Sequence, residues 1–298
     1  MKILEEMNIG KYKDVYDKRW SSSMGTKDDD ILTLCNPRRQ VEFFYYNYNV
    51  FVSKILSEVL GDCRGKKLLE IGCGRATSSI YQAMKLGISV TPTDYSEEAL
   101  KIAKKNLGKY GVLADPKKED LYHMSFDDES FDAIISLGVM EHVEEPEKAY
   151  MEMQRVLKKG GVMISMNVPE RPDNIQRIAM PVNRMLVKLE RFFSKKESKP
   201  WLDKESRSKT ADVYRSTLRG EEFARIVKKS GFNAIRVVEV NSFPTIDPVP
   251  EYLDRLIVKF YKVVMMFREI TLRMENPFVC SARDSRAHFI VAHKGDRK

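Results

Sequence analysis

Leu68-Leu69-Glu70-Ile71-Gly72-Cys73-Gly74-Arg75-Ala76-Thr77 decides the fold of this chain. An apolar run ending in an acid, then Gly-x-Gly, then residues able to start a helix, is the pattern of a buried strand turning sharply into a helix. Gly72 and Gly74 permit the turn and let a ligand approach the backbone, because a Cβ at either position would stand in its path. By themselves the two glycines also fit a tight turn with no ligand. The flanks separate the alternatives. A dinucleotide site uses a third glycine for close helix-to-strand packing beside a pyrophosphate; Thr77 stands there instead. Glu70 adds a carboxylate beside the turn, which repels a pyrophosphate and attracts a cation.

Outward from this turn the chain alternates strand and helix patterns. Strands are expected at 66–71, 88–93, weakly at 110–114, at 131–136 and at 161–167, with helices near 76–86, 96–107 and 146–158. Such alternation implies a parallel sheet with right-handed crossovers and helices on both faces. Ligands then bind beyond the carboxyl ends of the strands. Glu70, Asp94, Asp120 and Ser136 all fall near such ends. Asp94 closes the second strand 20 residues after Gly74, the spacing that brings an acid to a ribose diol. A helix over 219–230, a strand over 232–240 and the final Ala287-His288-Phe289-Ile290-Val291-Ala292-His293 extend the pattern.

Four ordered segments resemble the class I S-adenosylmethionine (SAM) methyltransferases: Glu70-Ile71-Gly72-Cys73-Gly74, the strand ending in Asp94, Glu119 to Asp132, and Leu137-Gly138-Val139-Met140-Glu141-His142-Val143. The resemblance covers residues 60–168 closely and 216–240 and 286–293 more loosely. It implies an α/β, Rossmann-like, seven-stranded, mostly parallel sheet with an antiparallel last strand. Helices lie on both faces, with a helical N-terminal extension and two helical insertions. It further implies SAM as cofactor, with Glu70 facing the methionine part, Asp94 the ribose, and Asp120 and the Leu121 N–H the adenine. The implied cofactor set is Glu70, Gly72, Cys73, Gly74, Asp94, Tyr95, Asp120, Leu121 and Ser136. His142, just past the fourth strand, is the candidate catalytic base, since its ordinary pKa suits proton transfer near neutrality. A structural role for the Glu-His-Val segment is the alternative. Some relatives bind a divalent metal through Glu-x-x-Glu-His; here Gly138 replaces the first acid, so no metal site is expected. Base-modifying enzymes of this fold carry Asn/Asp-Pro-Pro-aromatic after the fourth strand, where this chain has Ser136-Leu137-Gly138-Val139. A small-molecule or lipid acceptor is therefore favoured over nucleic acid.

The chain has 298 residues, 43% hydrophobic and 32% charged, ordinary values for a globular protein. The acidic start, Met1-Lys2-Ile3-Leu4-Glu5-Glu6, lacks the pattern of a signal peptide, and a cytoplasmic location is expected. Cys35, Cys63, Cys73 and Cys280 show neither Cys-x-x-Cys nor metal-ligand spacing. Cys73 reads as a small residue that fits the turn rather than as a reactive thiol. The division expected is a helical lid at 1–60, a SAM-binding core at 61–170, a basic helical insertion at 171–215, and the rest of the sheet at 216–298 with a helical insertion at about 244–283. In the lid, Tyr12, Val15, Tyr16 and Trp20 share one helical face, and Trp20 and Tyr16 are placed to close over the pocket or to pack the lid.

The net charge of +8 is uneven: residues 171–215 hold 12 Lys/Arg against 6 Asp/Glu, and 251–298 hold 10 against 6. In the first insertion Ile175, Ile178, Val182, Met185, Leu186, Leu189, Phe192 and Phe193 share a helical face. Arg177, Arg184, Lys188, Arg191 and Lys195 share another, with Pro181 expected to kink or split the helix. In the second, Leu253, Leu256, Ile257, Phe260, Val264 and Phe267 oppose Arg255, Lys259, Lys262 and Arg273. Three roles suit basic amphipathic helices: capping a pocket with a solvated charged face, peripheral contact with an anionic membrane, or binding another acidic partner. The sequence leaves the acceptor and the oligomeric state open.

Overall fold

The computed structural model describes Asp17, Trp20 and residues 35–171, 173–193 and 214–295. Tyr12, Val15, Tyr16, the expected loop at 21–30 and Lys195 lie outside the described residues.

The chain runs α1 (Gln40–Leu60), β1 (Lys67–Ile71), α2 (Thr77–Leu86), β2 (Ser89–Asp94), α3 (Glu97–Lys109), β3 (Lys117–Lys118), β4 (Phe131–Leu137), a 3-10 turn (Met140–His142), α4 (Pro146–Val156), β5 (Leu157–Asn167), α5 (Gln176–Phe193), α6 (Gly220–Lys229), β6 (Phe232–Val240), α7 (Glu251–Ile270) and β7 (Ala287–Lys294). The seven strands form one sheet in the order β3-β2-β1-β4-β5-β7-β6. β7 alone runs antiparallel to its neighbours, pairing Ile164 with Val291 and Val237 with Ile290. This is the Rossmann-like sheet with an antiparallel last strand that the sequence implied.

Strand alternation sends successive side chains to opposite faces, and the core divides accordingly. Leu68, Ala133, Ile135, Ile164 and Phe289 pack with Phe51, Val52 and Ile55 of α1 and with Val258 and Tyr261 of α7. Leu69, Ile134, Met163 and Ile290 face the other way, onto Tyr150 and Met153 of α4 and Phe223 and Val227 of α6. Phe289 is fully buried, with its ring 4.6 Å from that of Phe51; burying one such side chain stabilises the fold by about 1.5–3 kcal/mol.

Local signals set the helix ends. Ser96 caps α3, its Oγ accepting from the Ala99 N–H, and Glu97 and Glu98 occupy the first turn, where carboxylates favour the positive end of the helix dipole. Pro146 opens α4 at a position where its missing N–H costs nothing.

Three expectations are corrected. Residues 110–114 form no strand; Val112 N–H bonds back to Leu107 O, Gly111 has φ of +66°, and Leu113 is fully exposed, so this stretch unwinds α3 and β3 forms later. β5 begins directly after α4, at Leu157, because Leu157 already pairs with Phe131. Pro181 does not split α5, which runs continuously through it.

Candidate active site

The glycine turn after β1 is a left-handed bend: φ is +67° at Gly72, +51° at Gly74 and +57° at Ala76. A Cβ on Gly72 would lie 2.3 Å from Val139 Cγ2, and one on Gly74 would lie 2.8 Å from the Trp20 ring. These glycines are thus required by the protein's own packing, with Val139 from the segment after β4 on one and the N-terminal Trp20 on the other. The Arg75 guanidinium stands 5.0 Å from the centre of the Trp20 ring, a cation–π contact that holds the aromatic over the turn.

The end of β2 is tied to the same turn. Asp94 Oδ2 accepts from the Gly74 N–H and Oδ1 from the Ser96 N–H, both at 2.9 Å. The Ser96 hydroxyl also donates to the Asp17 carboxylate. The Glu119 N–H bonds Asp94 O at 3.3 Å, which sets Asp120 beside β2. Asp120 Oδ1 accepts from the Tyr122 N–H at 2.8 Å, a local turn that fixes the carboxylate. Leu121 is half-buried against the α4 side of the core. Ser136 pairs with Ile71 across the β1–β4 ladder, and its buried Oγ has no hydrogen-bond partner among the described residues. Tyr95, half-buried, receives the Lys118 ammonium at 5.9 Å from its ring.

Glu70 behaves differently from a simple ligand carboxylate. Its side chain is buried, and Oε2 accepts from both the backbone N–H and the hydroxyl of Ser79, at 2.9 and 2.5 Å. One oxygen is committed to the first turn of α2, so the contribution of Glu70 toward a cation comes from its other oxygen and from its field. Burial pushes its pKa up to about 7, against the lowering pull of the Ser79 hydrogen bonds, and Asp94 raises it further. Asp94 is likewise raised, first by burial, with Asp17 adding to the rise. The Cys73 thiol is raised well above its ordinary value by burial and by Asp94 and Glu70, so it is no nucleophile. Burial is the first cause of both carboxylate shifts, with Asp94 adding to the rise at Glu70 and Asp17 to that at Asp94, so acidic side chains gather at the turn. A cation beside these acids would favour their charged form, whereas a pyrophosphate would not.

His142 lies in the 3-10 turn beyond β4, held by a hydrogen bond from its N–H to Val139 O at 2.8 Å. Its ring Nδ1 is 3.0 Å from the Tyr214 carbonyl. A carbonyl only accepts, so Nδ1 carries the proton and Nε2 is the lone-pair nitrogen of the neutral ring. Next to it Glu141 is buried, with Oε1 accepting from the Val168 N–H at 3.2 Å and Oε2 lacking a partner among the described residues. Burial pushes its pKa up to about 7, with Arg215 acting to lower it.

The ten sequence-selected positions therefore lie at or shortly beyond the carboxyl ends of β1, β2, β3 and β4. Sequence reasoning missed Ser79, Asp17 and Tyr214, and it placed Val139 after the fourth strand without its contact to Gly72. Their contacts cross between elements, and only Asp17 carried a hint, as the neighbour of Tyr16 on a helical pattern.

Residues 69–165 match the family described as "Methyltransferase domain". This stretch belongs to the class I SAM-dependent methyltransferases. Over 110 residues the chain is 33% identical to a phosphatidylethanolamine N-methyltransferase of Cereibacter sphaeroides, covering 36% of this chain and 52% of the relative. Over 108 residues it is 32% identical to a demethylmenaquinone methyltransferase of Desulfitobacterium hafniense, covering 35% and 43%. The chain spans about half the length of these curated relatives. Among solved structures, geranyl diphosphate C-methyltransferase of Streptomyces coelicolor superposes with a TM-score of 0.56 at 14% identity, over 95% of this chain and 97% of that one. The cyclase SpnF superposes with a TM-score of 0.52 at 18% identity, over 83% and 81%. At these identities the superpositions establish the fold alone.

The cofactor of the methyltransferase domain is SAM, and the residues present fit it. Carboxylates with raised pKa surround the turn, Asp94 is placed for hydroxyl donors, Asp120 is held by one oxygen with the other remaining for an amino group, and the Ser136 hydroxyl is an unsatisfied polar atom at the end of β4. When bound, SAM supplies an electrophilic methyl group on a positively charged sulfur. Glu70, Asp94, Asp120 and Ser136 are the residues that would hold it.

Proposed function

We propose that this chain transfers a methyl group from SAM to a small acceptor with an apolar body, at oxygen, nitrogen or carbon. In that reading residues 61–170 hold the donor, while residues 1–60, 171–215 and the insertion at about 244–283 enclose the acceptor. The observation that carries it is the Asp94–Gly74 junction, where the ribose-side acid and the glycine turn are one hydrogen-bonded unit within negative potential suited to a sulfonium. Methyl transfer is an in-line displacement, so alignment and exclusion of water do most of the work. His142, with its proton fixed on Nδ1, is the base for an acceptor that must lose a proton.

Calorimetry with SAM, S-adenosylhomocysteine and NAD, followed by transfer of labelled methyl to a panel of acceptors, tests the reading. NAD binding more tightly than SAM would sink it. SAM binding with no transfer to any acceptor class would instead support a non-catalytic SAM-binding or scaffold protein. A lipid or isoprenoid quinone is the acceptor class favoured next, because α5 and α7 turn apolar side chains outward and relatives named for a phospholipid and a quinone share the donor domain.

A further inference from the structure

The two insertion helices leave much of their apolar surface facing outward. On α7 the inward residues are Val258 and Tyr261. Phe260, Val263 and Ile270 are 64%, 55% and 69% exposed, and Leu256, Met266 and Phe267 are also exposed. At 100° per residue these six form one outward stripe about 120° wide. On α5, Ala179 points inward, while Ile178, Val182, Met185 and Leu189 are exposed. Beside that apolar stripe runs a second outward stripe of Arg177, Arg184 and Lys188. One loop pins both helices: Thr245 O accepts from Gln176 and Asn183 of α5 at 2.8 and 2.9 Å, and Pro244 O accepts from the Tyr261 hydroxyl of α7 at 2.5 Å. Between this loop and α7 lies an apolar cavity of about 510 Å³, whose walls include Leu256 and Phe260 of the exposed stripe.

We propose that this face of α5 and α7 seats the protein on an anionic lipid bilayer, with the apolar stripes entering the interface and Arg177, Arg184 and Lys188 meeting the head groups. Charge selects the occupant. The α5 segment holds four basic residues against one acid, so a second copy docked through the same face would bring like charge against like. An anionic surface is attracted at every such position. No helix among the described residues is long and apolar enough to cross a membrane, and exposed amphipathic helices of this kind bind lying in the interface plane. The inference holds whichever acceptor the domain takes.

Cosedimentation of the full chain with vesicles of phosphatidylglycerol and phosphatidylcholine, against phosphatidylcholine alone, across a salt series, tests the proposal. Wild type is expected to pellet with the anionic vesicles at low salt and to be released as salt rises. Arg184→Gln with Lys188→Gln should weaken this by about tenfold or more. Val263→Ser with Ile270→Ser should remove the binding that survives at higher salt. All four side chains are exposed, and unchanged SAM affinity and melting temperature in both variants would show that the fold and donor site persist. Failure to pellet with anionic vesicles at low salt would overturn the proposal. So would variants that pellet like wild type, or a wild-type dimer in sedimentation velocity that the serine variant dissociates while vesicle binding is unaffected.

Discussion

The Asp94 carboxylate accepts the Gly74 N–H at 2.9 Å, so the acid expected to take the ribose also holds the glycine turn closed. Recognition and architecture are joined in one side chain. Asp94→Asn keeps the size but loses the charge and one of the two acceptors, since its NH2 cannot accept from the Gly74 or Ser96 N–H, and SAM affinity should fall about 10- to 100-fold, equivalent to about 1.4–2.8 kcal/mol. Asp94→Ala should lower the melting temperature further, because both the Gly74 and Ser96 N–H groups then lose their acceptor. Calorimetry and thermal unfolding separate the two effects.

Gly72 is predicted to be intolerant for two separable reasons. Its φ of +67° strains any side chain, and an added Cβ would meet Val139 Cγ2 at 2.3 Å. Gly72→Ala should cost about 2–5 kcal/mol, from about 1–2 of backbone strain and about 1–3 of overpacking. Adding Val139→Ala should restore the packing part alone, so a partial recovery in denaturant midpoint is expected; full recovery or none would contradict the dissection.

Glu70 and Glu141 are both pushed up to about 7 by burial, from an ordinary 4.5. Between those values the folded chain binds more protons than the unfolded one, so their contribution to stability is full below about 4.5 and falls as pH rises through about 7. Each can account for up to about 3 kcal/mol. Glu70→Gln should flatten part of this decline. A melting-temperature profile over pH with an unchanged slope would show that Glu70 is ionised throughout.

His142→Ala is expected to reduce turnover by about 10²- to 10⁴-fold for an acceptor that must be deprotonated, with SAM affinity unchanged by calorimetry. The kcat profile of the wild type should then show an acid limb that the variant lacks. An acceptor already carrying a lone pair should be much less affected, and equal activity on every acceptor would return His142 to a structural role.

Phe289 offers a control far from this chemistry. Phe289→Ala should lower stability by about 3–5 kcal/mol through loss of its contact with Phe51, measured by denaturant unfolding, with SAM affinity retained under native conditions.

The sequence by itself determined the sheet and the place of the glycine turn, because both rest on local periodicity. Strand runs such as Phe131 to Ser136 alternate between two buried faces, and Gly72, Gly74 and Asp94 follow the strands they terminate. It failed at residues 110–114, whose apolar pattern was the winding-down of α3, since a two-residue β3 leaves no periodic trace. Tertiary structure alone decided which partner each group takes. Glu70 is turned onto Ser79, Val139 covers Gly72, Asp17 reaches Ser96, and Tyr214 sets the tautomer of His142, all contacts between residues distant or out of register in the chain. It also decided the faces of α5 and α7. An amphipathic pattern shows that a helix has an apolar side, but which side meets the core depends on the elements beside it, and here Val258 and Tyr261 took the inside while Phe260, Val263 and Ile270 were left to solvent.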